Sequence, residues 1–587
     1  MGRGAGGPGW WWGPVFDAER TTRARRWQGY ALRSLFVLGL LVGLWLVWAE
    51  QRRTGGFVTV QQQAEVGASL FFTLTLIELV AVLLVAPAAT AGAICLDRSR
   101  GALAHVFVTD LTDREIVLGK LAARLLPVWG LLACAFPVAA LATMLGGIDP
   151  MALLGASLVV AGVAALGCAY ALLLSAWATR PAEVLAVVFA TWMAWLLACP
   201  LSQLFGGMAM PPGWLAWSNP YYLISAPSFE PGSTTLAEPA WFALGCLVLA
   251  TACTALAVGT VRGVGRRSPR RRARASGRDW PWRRWGPRLD ADPVLWREWH
   301  RNRATRWTRL VWLGYGVAAS ATGGGMIFVK LNPATNRMPA EAYGLLVGLL
   351  VAAGLLLVST ATASVLAEER VRGSLDVLLA APVSTRRIVR AKWWGAFRRV
   401  PWLTVWPVLM GFVVVVVDDV NPTTTKSIAV VFPLILAQGA LLVSIGLAAA
   451  TWIRRPGLAT TWTVGVEVFF LAGWPILQAV LPLSWLLSDP DRYDPSAFRQ
   501  ALDIFLACGC PFINAAFPSM IAHQTYPGSE PRHQAVLAVL LAWTAIYSLA
   551  AWALYELTVR TFDRRLGRMP ERPTRPRPAP ARPVARA

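Results

Sequence analysis

Lysine is almost missing from this chain. Only four occur among 587 residues, at positions 120, 330, 392 and 426, so arginine carries nearly all of the positive charge. Histidine is equally scarce, and its four scattered residues form no H-E-x-x-H spacing and join no carboxylate cluster, which leaves metal-dependent hydrolysis without a constellation. The eight cysteines (95, 134, 168, 199, 246, 253, 508 and 510) lie mostly within apolar runs, where Cys packs as a small hydrophobe. Cys508-Gly509-Cys510 is the one close pair, awkwardly spaced for a disulfide and incomplete for zinc. No G-x-x-x-x-G-K-[ST] phosphate cradle occurs; Gly119-Lys120 lacks both the upstream glycine and the following hydroxyl. Any ATP hydrolysis therefore belongs to a separate polypeptide, and no cofactor is expected on this one. Charged residues make up only 15 % of the chain against 56 % hydrophobic, with a mean hydropathy of +0.49, which excludes a string of soluble domains.

What is present is a series of apolar runs long enough to cross a bilayer, which needs about 18 to 20 residues. Spans are expected near 31–49, 67–95, 122–145, 150–177, 182–203 and 239–261, and again near 308–328, 341–366, 400–418, 427–453, 457–487 and 534–557. The fold class is all-α: a polytopic membrane protein of about twelve helices in two sets of six. The first half occupies 1–262 and the second 292–557, joined by a basic linker, 263–291, and followed by an Arg/Pro-rich tail, 558–587. The stretch from Arg262 to Asp290 holds eleven arginines and that from Arg560 to Arg586 holds nine, whereas residues 204–238 contain no Lys or Arg. With an even number of spans, the termini and linker share one side, and the excess of arginine makes that side the cytoplasm of a plasma (inner) membrane. The net charge of +23 thus reads as topology signal and contact with anionic lipid, not as a nucleic-acid site. Arg25-Arg26 precedes a run long enough to span and without an evident cleavage site, so it introduces an uncleaved first helix.

One charged segment occurs twice. Asp97-Arg98-Ser99-Arg100-Gly101-Ala102-Leu103, running on to Arg114 and Lys120, recurs 272 positions later as Glu369-Arg370-Val371-Arg372-Gly373-Ser374-Leu375, running on to Arg386 and Lys392. Two of the four lysines thus close equivalent segments. Other landmarks repeat in the same order: Pro14-Val15 to Glu19 with Pro293-Val294 to Glu298, Trp177 to Pro181 with Trp452 to Pro456, and Pro220 to Pro227 with Pro511 to Pro518. Equal order and an even number of spans make the halves parallel repeats. The landmark opening each half suits an amphipathic helix in the membrane interface, begun by proline. In the second charged copy, Leu366, Val371, Leu375, Leu378 and Leu379 give one apolar face; Pro382 breaks the helix and Ser384 starts another.

The segment from Glu368-Glu369-Arg370 through Arg372-Gly373-Ser374-Leu375 and Leu378-Leu379 to Pro382 resembles the ABC-2 type permease family, membrane subunits of ATP-binding-cassette exporters. The first copy matches more loosely, with Leu96, Ala102 and Asp110 where the second has Glu368, Ser374 and Pro382. The resemblance covers the chain as two fused six-span permeases. It implies that both segments are coupling helices docking on a separate ATPase, in two copies, with ATP and Mg held by that partner. It implies also that 204–238 and 489–533 form short extracytosolic helices. Contacts are expected from Asp97, Arg98, Arg100, Gly101, Leu103, Arg114 and Lys120, and from Glu368, Glu369, Arg370, Arg372, Gly373, Leu375, Arg386 and Lys392. Acids and arginines would supply charge-paired recognition, leucine an apolar knob, and glycine a close approach or turn.

Glu78 and Glu467 fall within spans, where a charge costs at least ~2.5 kcal/mol and faces a cavity or a partner. Each has two readings, an interhelical hydrogen bond or a place on a translocation path. Neither has an acidic counterpart in the other half, since Leu350 and Trp192 stand at the offset positions. Two alternatives compete with an exporter: a major-facilitator-like transporter, which shares the two parallel six-span halves, and a non-transporting scaffold. The Asp97-Arg98-Ser99-Arg100-Gly101 run mimics a major-facilitator loop, but its spacing from Gly92 is off by one.

Overall fold

The computed structural model describes the chain from Gly13 to Gly567, apart from residues 26–29, 46–58, 144–147, 206–212, 230–234, 266–286, 301–305, 332–339, 363–365, 367–368, 371–373, 403–408, 410–421, 454–455, 475–501, 522–529 and a few single or paired positions that include Arg100. Among the described residues there is no strand, and the fold is all-α. Six helices among the described residues are long and apolar enough to cross a membrane: Gly67–Ser99, Asp113–Leu141, Pro150–Trp177, Ala237–Gly263, Ala429–Trp452 and Gln534–Leu566. Shorter apolar helices, Pro181–Leu196, Val347–Thr362 and Leu458–Leu471, fall on three more of the expected spans. The run at 308–328 is helical, whereas that at 400–418 lies mostly outside the described residues.

In the first half, α1 (Gly13–Ala24) precedes α2 (Val60–Thr90), two short helices α3 (Cys95–Ser99) and α4 (Ala102–Val108), and the long α5 (Asp113–Thr143). Then come α6 (Pro150–Trp177), α7 (Pro181–Phe205), the short α8 (Gly213–Trp217) and α9 (Pro220–Phe229), and α10 (Ala237–Gly265). The second half repeats this order with α11 (Pro293–His300), α12 (Arg306–Leu331), α13 (Ala340–Thr362), α14 (Ser374–Ala380) and α15 (Thr385–Phe397). It closes with α16 (Pro422–Trp452), α17 (Pro456–Val468) running into a π-helical turn at Phe469–Gly473, α18 (Pro511–Ile521) and α19 (Glu530–Leu566).

Local chemistry sets the helix starts. Thr112 and Glu115 cap α5 reciprocally: the Thr112 amide donates to Glu115 Oε2 at 2.8 Å and the Glu115 amide donates to Thr112 Oγ1 at 3.3 Å. At α10 the Thr235 amide donates to Glu238 Oε2 at 2.8 Å while Thr235 Oγ1 accepts from the Ala237 amide, and Asp149 accepts from the Met151 amide before Pro150 opens α6. In both halves the fourth span packs most extensively on the sixth, α6 on α10 and α16 on α19. Gly162 permits the first of these pairings, since a Cβ there would stand 3.2 Å from the Ala243 Cα.

Spans two and five join the halves. α7 packs on α12 and α13, while α17 packs on α2. Leu356 and Val464 from the second half are buried in the core of the first, and Ala186 meets Val311 and Leu357.

Candidate functional site

The repeated segment folds the same way in each half. A short helix is held down by buried leucine, Leu103 in the first half and Leu375 with Leu378 in the second, on the start of the third span and the ends of the fourth and sixth. Leu103 of α4 packs with Val117, Leu172 and Val261, and Leu375 of α14 packs with Ile388, Leu447 and Phe562. Gly101 turns the chain into α4 at φ +76°, a left-handed conformation that costs a Cβ-bearing residue roughly 1 kcal/mol or more. Pro382 is followed, as the sequence indicated, by Ser384 at the N-cap of α15, although its side chain makes no capping hydrogen bond.

Both lysines are buried between two carboxylates. Lys120 Nζ lies 2.9 Å from Glu19 Oε1 on α1 and 2.5 Å from Asp97 Oδ2 on α3. Arg124 Nε completes the cluster 3.0 Å from Glu19 Oε2. In the second half, Lys392 Nζ lies 2.7 Å from Glu369 Oε1 and is also paired with Glu298 on α11, while Arg297 Nη2 is 3.4 Å from Glu369 Oε1. Each cluster sets two cations against two carboxylates. That neutrality is what makes the burial tolerable, since one uncompensated buried ion costs several kcal/mol. The clusters tie the charged segment to the third span and to the amphipathic helix that opens each half.

The arginines of the motif serve as helix caps. Arg98 Nη1 donates to the Ala176 carbonyl at 2.9 Å and its Nη2 to that of Ala178, at the end of α6. Arg370 Nη1 donates to the Ile453 carbonyl at 3.1 Å, at the end of α16. A cation there satisfies orphan carbonyls and faces the negative end of the helix dipole.

The motif charges are therefore largely engaged within the chain, in place of the outward recognition expected of them. Asp97, Arg98, Lys120, Glu369, Arg370 and Lys392 all bond inward, and Arg386, though exposed, lies 3.1 Å from Glu556. The expected apolar knobs also point inward, since Leu103 and Leu375 are buried. Arg114 is exposed; Arg100, Glu368, Arg372 and Gly373 lie outside the described residues. The surface of each short helix instead mixes small or apolar residues with one polar or charged side chain: Ala104, Val108 and His105 on α4, and Val377, Ala380 and Asp376 on α14. Val108 is 86 % exposed and Val377 75 %.

Glu19 and Glu298 had been visible only as parts of a repeated landmark. The signal that could have assigned them was the lysine scarcity itself, because a buried Lys kept at two equivalent positions needs an acid at each. Burial would push the Glu19 carboxyl up, but Arg124 and Lys120 outweigh it and hold the group below the usual carboxylate range. A depressed folded-state pKa contributes stability above the ordinary value of about 4.3, lost as pH falls through and below it. The thermal midpoint of the detergent-solubilised chain should fall on acidification below about pH 5. Glu19→Gln should lower the midpoint at neutral pH and flatten that acid limb; an unchanged acid limb in the variant would remove Glu19 from the account.

Glu78 on α2 and Glu467 on α17 are both buried, and they stand on helices that pack against each other between the halves. No hydrogen bond among the described residues reaches either carboxyl, and Glu467 Oε1 is fully enclosed. Among the described residues, neither carboxyl forms the interhelical hydrogen bond that was one of its two readings.

Residues 313–563, which carry α14, α15 and the Lys392 cluster, match the family model described as ABC-2 family transporter protein. A comparison with curated proteins returns no match.

Proposed function

Because the chain carries an ABC-2 family transporter domain over residues 313–563, we propose that it is the permease of an ABC exporter, built as two fused six-span halves and driven by two copies of a separate ATPase subunit. Termini, linker and charged segments face the cytoplasm across the plasma membrane, and ATP and Mg are bound by the partner. The observation that carries this reading is the recurrence, in each half, of a short helix with an exposed apolar tip whose root is clamped by a buried Lys between two acids.

The tips fit an ATPase surface better than the charges do. An exposed valine on a two-turn helix can seat in a shallow apolar pocket, and the inward ion clusters make its root rigid. ATP-driven closure of the ATPases would press on α4 and α14. The clusters pass that displacement to the third spans and to α1 and α11 as rigid bodies, and the halves re-pack along the α7/α13 and α17/α2 contacts. This chain performs no covalent chemistry; its work is a population shift powered by differential ATP binding on the partner.

Glu78 and Glu467, at the junction of the halves, line the path that opens there. Glu467→Gln and Glu78→Gln should each impair substrate export while leaving stimulation of the partner ATPase within about twofold of the unmodified chain. Export by proteoliposomes and ATP hydrolysis, measured on the same preparation, test this; normal export in both variants would remove the carboxyls from the path.

A further inference from the structure

We propose that the end of the last membrane helix binds the phosphate of an anionic phospholipid headgroup, at a site built by the second half. Thr451 and Trp452 at the end of α16, with Thr561, Arg564 and Arg565 near the end of α19, line a cavity of about 360 Å³. Trp452 Nε1 donates to Thr561 Oγ1 at 3.0 Å, which joins the two helices at its floor.

Charge is available there because the nearby acids are occupied. Glu556 is bonded by Arg386 at 3.1 Å and by Arg560 at 3.3 Å, and both oxygens of Asp563 accept from the Thr385 hydroxyl, at 2.7 and 3.0 Å. Among the described residues no acid pairs with Arg564 or Arg565, and both are exposed. Two adjacent guanidinium groups beside an indole offer a planar, multi-donor surface suited to a phosphodiester. The negative end of the α19 dipole opposes an anion at this position, so binding must rest on the arginine pair.

Geometry favours a lipid over a free ion. α19 has 37 residues, roughly 55 Å, well beyond the ~30 Å hydrocarbon core, so its last turns lie at the headgroup level. Immediately above the arginines its outer face is apolar and open, with Leu549, Trp552 and Leu557 exposed. An acyl chain can lie along that face while its phosphate sits on the pair. The first half offers no equivalent among its described residues: Ala176 and Trp177 stand in place of Thr451 and Trp452, and Arg262 near the end of α10 is paired with Asp113 at 2.9 Å.

The inference needs the chain to span a bilayer but not to engage an ATPase, so the two readings fail separately. Native mass spectrometry of the full-length chain, titrated with phosphatidylglycerol, phosphatidylcholine or inorganic phosphate, tests it. Phosphatidylglycerol should bind in preference to phosphatidylcholine, and an R564A/R565A variant should bind it about thirty-fold more weakly. The R564K/R565K variant, which keeps the charge, should retain most of the affinity and report that the fold survives. Unchanged phosphatidylglycerol binding in the alanine variant would overturn the proposal. So would displacement of the lipid by an equal concentration of inorganic phosphate, whereas a loss of ATPase association with lipid binding intact would count against the exporter reading alone.

Discussion

Lys392→Met should destabilise the second half by about 3 to 5 kcal/mol, the cost of leaving buried carboxylates without their shared cation. Glu298 and Glu369 would face each other across the vacated position, with Arg297, 3.4 Å from Glu369, and the charge of Arg398 near Glu298 compensating only in part. The side chains of Lys392 and Glu298 are only 1 % and 5 % exposed, so water cannot screen the loss. Lys120→Met should cost clearly less. Glu19 keeps Arg124 at 3.0 Å, and the Asp97 side chain is 32 % exposed and can be hydrated. Combining Lys392→Met with Glu298→Gln and Glu369→Gln should recover most of the stability, because neutral amides remove the unpaired charge. Chemical unfolding of the full chain in detergent ranks the three variants. Equal effects of the two single lysine substitutions, or no recovery in the triple variant, would contradict a charge-neutral clamp.

The second large effect concerns the tips. Val108→Glu together with Val377→Glu should reduce affinity for the ATPase by about thirty-fold, corresponding to the ~2 kcal/mol typical of a residue that anchors an interface. Thermal stability should stay within about 0.5 kcal/mol of the parent, since neither side chain packs on anything that the charge would disturb. The contrast with the lysine variants is diagnostic, because the clamp acts through folding and the tips act through binding. ATPase stimulation measured over a range of subunit ratios separates the two. Full stimulation at low ATPase concentration in the double variant would assign the contact elsewhere.

Much of this architecture was legible in the sequence. The long apolar runs located the membrane helices, and Pro150, Pro181 and Pro456 mark helix starts as their fixed φ requires. The duplicated charged segment was correctly seen as a helix, a break near Pro382, and a second helix led by Ser384. What the sequence could not reveal was direction. In Asp97-Arg98-x-Arg-Gly-x-Leu, hydrophilic residues flank one leucine, and the ordinary expectation sends charge outward. The fold reverses that order, because Lys120 and Lys392 each need acids 94 to 101 positions away on a helix whose docking only tertiary structure defines. The same reversal buries Leu103 and Leu375 and leaves Val108 and Val377 outside. Of the relation between the halves only the common order of landmarks was legible; that spans two and five join them is shown by their packing alone. The fate of Glu78 and Glu467 was not legible, since a mid-span acid reads alike whether it is hydrogen-bonded or enclosed alone.

The two copies also differ where their frames agree. Asp113 on α5 pairs with Arg262 in the first half, whereas Thr385, at the same place on α15, bonds to Asp563. The contact between third and sixth spans is kept while its charges change, which leaves Arg564 and Arg565 for other use in the second half.

The central claim is that both short helices touch an ATPase subunit, and site-directed crosslinking tests it most directly. The cysteines of the parent chain that the structure describes are buried or half-buried, so single Val108→Cys and Val377→Cys variants present new exposed thiols. With a bifunctional thiol reagent and the co-expressed ATPase, each variant should form a crosslinked product with that subunit, strengthened by ATP. Absence of a crosslink at both positions, with an ATPase that still co-purifies and is still stimulated, would contradict the account.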